Sequence, residues 1–361
     1  MSSRATTAGD AELYAVTDLP VFQNRMFDSE AEAKACRRGD VVLVQDLQTG
    51  LIFNRAFDAE RMQYDGAYQN EQAMSSAFQR HLQNVASVIA THFAGQSLIE
   101  VGCGKGYFLE VLQAAGWKIS GMDPTYEGDN PAVVKEYFTE KSGRRAEGIV
   151  LRHVLEHVED PVAFLARIRD ANGGVGKIYI EVPCFDWICA RRTWFDIFYE
   201  HVNYFRLADF HGMFGHVHAA GRLFGEQYLY VVADLATLRT PRLSERVQFP
   251  RDFLQGVESQ ASRLRKRKAP VAVWGGASKG VLFTLFMERA GATVDAVVDA
   301  NPAKQGKYIP ATGHVVRSPE HATRAFADET EILVMNSNYL NEIREMTGGR
   351  FSYRTIDDAG V

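Results

Sequence analysis

At 361 residues the chain is long enough for two or three domains, each with a core of its own. Its hydrophobic content of 46% and charged content of 24% are those of a soluble globular chain, and a net charge of −5 leaves no global field for nucleic acid or an acidic membrane. No apolar run approaches the ~18 residues of a membrane-spanning helix, and Cys36, Cys103, Cys184 and Cys189 form no C-x-x-C pair, so neither a disulfide framework nor a bound metal is expected.

Residues 1–10 are small and polar, without the apolar core of a signal peptide, and read as a disordered tail. With the unpaired thiols this fits a reducing cytoplasm. Residues 11–70 read as a small N-terminal module. Leu19 to Asn24 is extended, and Ser29-Glu30-Ala31-Glu32 opens a helix. Val41 to Gln45 and Leu51 to Asn54 form a hairpin around a turn containing Gly50. Tyr64 and Tyr68 bracket Asp65-Gly66, as exposed aromatics of a turn or as a packed pair. A connecting helix spans 71–94, with Met74, Phe78, Leu82, Val85, Ile89 and Phe93 on one stripe and His81 beside it in a structural place.

A domain over 95–234 begins with the most informative stretch. Leu98 and Ile99 open a strand, Glu100 to Gly106 form a glycine-rich turn, Phe108 to Ala115 a helix, and Lys118 to Met122 the next strand, which ends at Asp123-Pro124. Glycines let the chain bend sharply and let a ligand approach the main chain. The spacing Gly102-Cys103-Gly104-Lys105-Gly106 departs from the G-x-G-x-x-G of dinucleotide sites. An acid before the turn, Glu100, disfavours a pyrophosphate and suits an ammonium. Asp123, 17 residues after Gly106, suits a ribose diol. The pattern resembles motif I of class I S-adenosylmethionine (SAM) methyltransferases; the competing reading is a tight turn that holds nothing. Further on, Gly148 to Leu151 is a strand running into Arg152-His153. Ligands bind outside the carboxyl ends of such strands, so His153 joins the expected cofactor side. Glu156 and His157 are expected to open and cap the helix over 161–169. Lys177 to Val182 is a strand, an aromatic-rich passage runs from Phe185 to Phe205, and Gly225 to Val232 is a late strand.

Residues 235–268 form a linker whose helix ends in Arg263-Leu264-Arg265-Lys266-Arg267-Lys268. Cations suit a helix C-terminus, so this run is a solvated helix end rather than a nucleic-acid patch. From 269 to 361 the layout repeats: strand, Gly275-Gly276-Ala277-Ser278-Lys279-Gly280 turn, helix, strand, Asp299. Gly276, Ser278 and Lys279 are expected to bind phosphate at the helix N-terminus. Asn301 and Lys304 of the next loop complete the expected substrate-binding set. The fold class that results is α/β: a Rossmann-like class I methyltransferase domain, a smaller Rossmann-like C-terminal domain and the N-terminal hairpin module.

Over nearly the whole chain the residues are similar to the SAM-dependent C-methyltransferases of nucleotide-linked keto-deoxysugars. Val297 to Pro310 resembles that family's C-terminal signature, with Ser318-Pro319 and Asn338-Tyr339 to Glu342-Ile343 as further parts. Glu200-His201 before Tyr204-Phe205 is family-like, and Tyr68 resembles its active-site tyrosine. There are two departures. The N-terminal zinc module is reduced to Cys36, with Asp46 to Gly50 where a Cys-x-x-Cys-Gly knuckle is expected, which predicts a hairpin without zinc. Phe198 also stands where the family has a tyrosine, with Tyr199 adjacent. The resemblance implies SAM as cofactor, a small-molecule acceptor, a monomer or homodimer, and deprotonation beside a carbonyl with His201 as base, assisted by Glu200. Tyr68 or Tyr199 would donate to the enolate oxygen. Adjacent residues of an extended chain face opposite ways, so the 198–205 segment should bend into a loop. The alternatives are O- or N-methylation, a SAM-binding scaffold without catalysis, and a nicotinamide-dependent oxidoreductase using Trp274 to Gly280.

Overall fold

The computed structural model describes residues 9–62 and 75–358. The first part of the chain forms β1 (Asp10–Pro20), α1 (Glu30–Lys34), β2 (Arg38–Asp46) and β3 (Ile52–Asn54). Then come α2 (Ser76–Phe93), β4 (Leu98–Val101), α3 (Tyr107–Ala114), β5 (Ile119–Met122), β6 (Val133–Val134), β7 (Gly148–Arg152), α4 (Pro161–Ala171) and β8 (Lys177–Pro183). They are followed by α5 (Phe185–Arg191), β9 (Asn203–Tyr204), α6 (Leu207–Met213), β10 (Val217–Leu223) and β11 (Tyr228–Asp234). The last part is α7 (Gln255–Lys266), β12 (Val271–Trp274), α8 (Ser278–Arg289), β13 (Ala296–Val298), β14 (Val316–Arg317), α9 (Pro319–Ala325), β15 (Glu331–Val334), α10 (Leu340–Met346) and β16 (Ser352–Thr355).

Three sheets result. The central one has the order β10-β11-β8-β7-β4-β5-β6. Strands β4 to β8 run parallel, and β11 and β10 close one edge antiparallel. Strand order reverses between β4 and β7, and that switch point opens a crevice at the strands' carboxyl ends. The C-terminal sheet, β14-β13-β12-β15-β16, is parallel throughout, with its own reversal at β12. The short parallel strands are nearly continuous runs of Val, Ile and Leu because both faces are covered.

The N-terminal sheet has the order β1-β2-β3-β9, so its fourth strand comes from the segment that carries Glu200 and His201. The hairpin turn is closed by Asp46, whose carboxylate accepts from the Gln48 amide at 2.7 Å and from Thr49 Oγ1 at 2.7 Å. A side-chain-capped turn thus closes the hairpin at Asp46 to Gly50.

The aromatic passage between Phe185 and Phe205 joins the sheets. Trp194 stacks on Phe283 of α8 at 5.6 Å and meets Phe286 at 4.9 Å. Phe185 packs on Tyr204 at 5.7 Å and on Phe249 at 6.2 Å. The basic end of α7 is internally paired, Arg265 with Glu258, Arg267 with Asp295 and Arg263 with Glu331. Among the described residues no helix is long and apolar enough to cross a membrane.

Candidate active site

The glycine turn after β4 has Gly102, Gly104 and Gly106 at φ values of +72°, +53° and +80°, a region that costs an L side chain steric strain. A Cβ on Gly102 would lie 2.5 Å from Val154 Cγ2, whereas one on Gly104 would meet nothing within 4 Å. The first glycine therefore permits close packing, and the second leaves an open face. Glu100 is buried, and its Oε2 has no hydrogen-bond partner. Burial raises its carboxyl from 4.5 to about 7, against the pull of Arg152. An unpaired buried carboxylate oxygen beside a glycine turn fits the ammonium of a methionine moiety.

Asp123 is tied into the turn: Oδ2 accepts from the Gly104 amide at 2.7 Å, and Oδ1 accepts from Thr125 N and Oγ1, both at 2.8 Å. It keeps lone pairs for a diol while fixing the loop. Pro124 follows, exposed. The Cys103 sulfur packs where a Gly121 side chain would be, and burial lifts its thiol to about 12, so its side chain is inert.

His153 is not a neutral lining residue. Its backbone sits at φ +52°, which aims the ring between two carboxylates, Nδ1 3.3 Å from Glu156 and Nε2 3.0 Å from Glu181. Burial opposes the charge, but bonds to Glu156 and Glu181 outweigh it and raise the imidazole to about 9. A cation here suits an anionic group, such as the carboxylate of a methionine moiety or a charge on the acceptor. Glu181 is the hub, also receiving His81 Nε2 at 3.1 Å, Arg152 Nη2 at 3.1 Å and the Tyr179 hydroxyl at 2.8 Å.

Glu156 and His157 do not cap α4. Asp160 does, accepting from the Ala163 amide at 2.9 Å, with Pro161 at the first helical position. The two instead form an inward 3-10 turn. Glu156 is buried with Oε2 unpartnered, and His157 Nδ1 lies 3.0 Å from the Glu200 carbonyl. That carbonyl only accepts, so the proton of this bond sits on His157 Nδ1. The His157 and His201 rings meet edge-on at 5.0 Å, and Phe198 flanks His201 at 4.8 Å. Burial, then His157, push His201 down to about 3, so it is neutral at pH 7.

The 198–205 segment is the expected loop, closed by the Tyr204 hydroxyl, which accepts from Phe198 N at 2.9 Å. Glu200 accepts from the Gln23 amide at 2.8 Å, which ties the segment that carries His201 to the N-terminal module. The Tyr199 ring lies under Gly39 and against Phe57, and its hydroxyl accepts from the Asp58 amide at 3.0 Å. The same hydroxyl donates to the Asp58 carbonyl at 3.5 Å, so its proton is directed into the N-terminal module, which corrects its assignment as enolate donor. Tyr68 lies outside the described residues.

The second glycine turn also departs from expectation. The Gly276 amide donates to Asp299 at 2.9 Å, and Ser278 Oγ accepts from Asn24 at 3.1 Å. Lys279 Nζ lies 3.1 Å from Asp196, donates to Gln227 at 3.0 Å and sits 5.0 Å over Trp187. Lys304 is buried and paired with Asp299 at 3.4 Å, while Asn301 Oδ1 accepts from the Ala303 amide at 3.0 Å. The expected free cationic cradle is therefore internally neutralised, and Lys279 pins the C-terminal domain to the methyltransferase domain.

Glu156, His157, Glu181 and Asp196 were missed as site residues. Asp160-Pro161 is the better cap signal, and it would have released Glu156-His157 for the site. Glu181 and Asp196 have no local sequence signal.

A family model described as a methyltransferase domain matches residues 68–219, and one described as a C-methyltransferase C-terminal domain matches 244–351. The chain is 25% identical over 303 residues to the C-methyltransferase NovU of Streptomyces niveus, covering 71% of each. A solved 1,6-didemethyltoxoflavin N1-methyltransferase of Burkholderia thailandensis, with bound S-adenosylhomocysteine, is similar over 43% of this chain and 77% of its own, at 16% identity and TM-score 0.34. A SAM-dependent methyltransferase of Archaeoglobus fulgidus is similar over 44% and 95%, at 18% identity and TM-score 0.33. With the glycine turn, the unpaired acid at its entrance and a methyltransferase model over the central sheet, this chain is a SAM-dependent methyltransferase of the class I, Rossmann-like fold.

Proposed function

We propose that the chain methylates the carbon beside a carbonyl in a nucleotide-linked keto-sugar. The observation that carries this reading is the pair of facing imidazoles, His157 and His201, next to the buried carboxylate of Glu156. O- or N-methylation needs no strong base, whereas carbon methylation needs both a base and a group that tolerates an enolate. The similarity to a C-methyltransferase supports the same reading.

Glu100 would hold the methionine ammonium, Gly102 and Gly104 would let the ligand approach the main chain, and Asp123 would take the ribose. Bound SAM supplies an electrophilic methyl group. His201 accepts the proton from the acceptor carbon. Its proton affinity is low in the resting site, and negative charge developing beside it raises that affinity. The imidazolium so formed lies near Glu156, whose charge favours it. His153, charged and bound to Glu156, favours the enolate electrostatically. The C-terminal glycine turn lies at the domain boundary with Asn24, Asp196 and Gln227, and we assign it the nucleotide end of the acceptor. This requires the phosphates to compete with Asp196 for Lys279.

The test is hydrogen exchange in D2O with S-adenosylhomocysteine in place of SAM and a nucleotide-linked keto-deoxysugar as acceptor. The reading expects deuterium at the carbon next to the carbonyl, lost in His201→Asn. Methyl transfer from SAM without any such exchange would favour oxygen or nitrogen as the acceptor atom.

A further inference from the structure

We propose that His216, His218 and Asp234 form a site for a Zn2+-class transition-metal ion at the outer edge of the central sheet. Asp234 ends β11, and its two carboxylate oxygens each face one imidazole, His216 Nδ1 at 2.6 Å from Oδ2 and His218 Nε2 at 2.7 Å from Oδ1. The rings lie 4.3 Å apart, and the donor atoms of all three residues fall within 4.8 Å of one another.

The convergence is built by the backbone. Val217 pairs with Ala233 and Ala219 with its neighbour Val232, so His218 is the extra residue of a β-bulge on edge strand β10. A bulge re-aims its side chain, here toward Asp234 on the adjacent strand. The loop ends are fixed too: Thr237 Oγ1 donates to the Asp234 carbonyl at 2.8 Å and accepts from the His216 amide at 3.1 Å. The neighbouring cation, Lys177 of β8, has its amine turned to the His92 carbonyl.

Two imidazoles and a carboxylate are a borderline donor set that selects Zn2+ and its neighbours over Mg2+ or Ca2+. Three protein ligands leave a fourth position for water. At zinc bond lengths of about 2.0–2.1 Å, tetrahedral donors stand roughly 3.3 Å apart, so the hydrogen-bonded cluster must open by about 0.6 Å. The imidazoles are partly exposed, with His216 58% accessible, and can make that shift. The ion would replace the shared hydrogen-bond protons and staple β10 to the point where the chain leaves for the linker.

This site is separate from the active site. Asp234 pairs with Lys177 at the start of β8, while Pro183 at its end pairs with Tyr228, so the cluster lies at the amino end of the parallel strands. Six strand residues separate the two ends, about 20 Å.

The experiment uses tag-free, chelator-treated full-length protein titrated with Zn2+ by calorimetry and with Co2+ by visible absorption. One ion per chain is expected, and His218→Ala and Asp234→Asn should each weaken binding at least tenfold. Zn2+ should raise the melting temperature of the wild type but not of Asp234→Asn, which keeps the side-chain shape. Methyl transfer should be unchanged in both variants. Absence of binding at micromolar Zn2+, or binding unaffected by these substitutions but lost in His157→Gln, would overturn the proposal.

Discussion

Glu100→Gln separates the cost of a buried carboxylate from its use. Burial raises the Glu100 carboxyl from 4.5 to about 7. That rise corresponds to roughly 3 kcal/mol against the ionised form. Sign follows from proton binding: between pH 4.5 and 7 the folded state holds a proton that the unfolded state has released, so stability falls as pH rises through that window. Glutamine has nearly the same shape and no charge. Without ligand, Glu100→Gln should therefore match the wild type at pH 4.5 and exceed it by up to about 3 kcal/mol at pH 8, measured by urea unfolding. S-adenosylhomocysteine affinity should move the other way. Loss of a charge-assisted bond of about 1.5–3 kcal/mol weakens binding by about 10- to 150-fold. Wild-type affinity should improve about tenfold per pH unit below pH 7 and level off above it. A variant less stable than wild type at pH 8, with ligand affinity unchanged, would refute the reasoning.

Gly102→Ala puts a Cβ 2.5 Å from Val154 at φ +72° and should cost about 2 kcal/mol or more in chemical denaturation, while Gly104→Ala, with open space, should cost only the strain of its φ of +53°. Lys279→Met leaves Asp196 buried without its cation and should destabilise by about 3 kcal/mol, with much of the loss recovered in Lys279→Met/Asp196→Asn. His153 is raised from 6.5 to about 9, so its charge stabilises the fold fully below pH 6.5, an advantage lost as pH rises to 9. The deficit of His153→Asn should accordingly shrink by about 3 kcal/mol across that window in urea titrations.

The first glycine turn was legible because its geometry is local. Gly102, Gly104 and Gly106 lie within one strand-turn-helix-strand unit, and all three take the positive φ that a sharp turn there requires. The proposed acceptor half would draw on segments distant in sequence. His157 meets His201 across 44 residues, Glu181 gathers His81 from α2 across 100, and Lys279 reaches Asp196 across 83. No periodicity reports such meetings. Adjacent-residue logic called for a loop at 198–205, yet the bond that Glu200 accepts from the Gln23 amide is set by tertiary packing. Strand β1 was underestimated because Asp10–Pro20 shows no regular alternation of apolar and polar residues, and its pairing with β2 rather than its own pattern makes it a strand. The repeated glycine turn correctly announced a second parallel sheet, but not that Lys279 and Lys304 would be neutralised by Asp196 and Asp299.

The central claim is that the methyl group goes to carbon. The most direct measurement is nuclear magnetic resonance of the product formed from 13C-methyl-labelled SAM and a nucleotide-linked keto-deoxysugar. The account predicts a labelled methyl coupled to a ring carbon, with turnover lost in His201→Asn while S-adenosylhomocysteine binding persists. A labelled methyl on oxygen or nitrogen, formed as readily by His201→Asn, would contradict it.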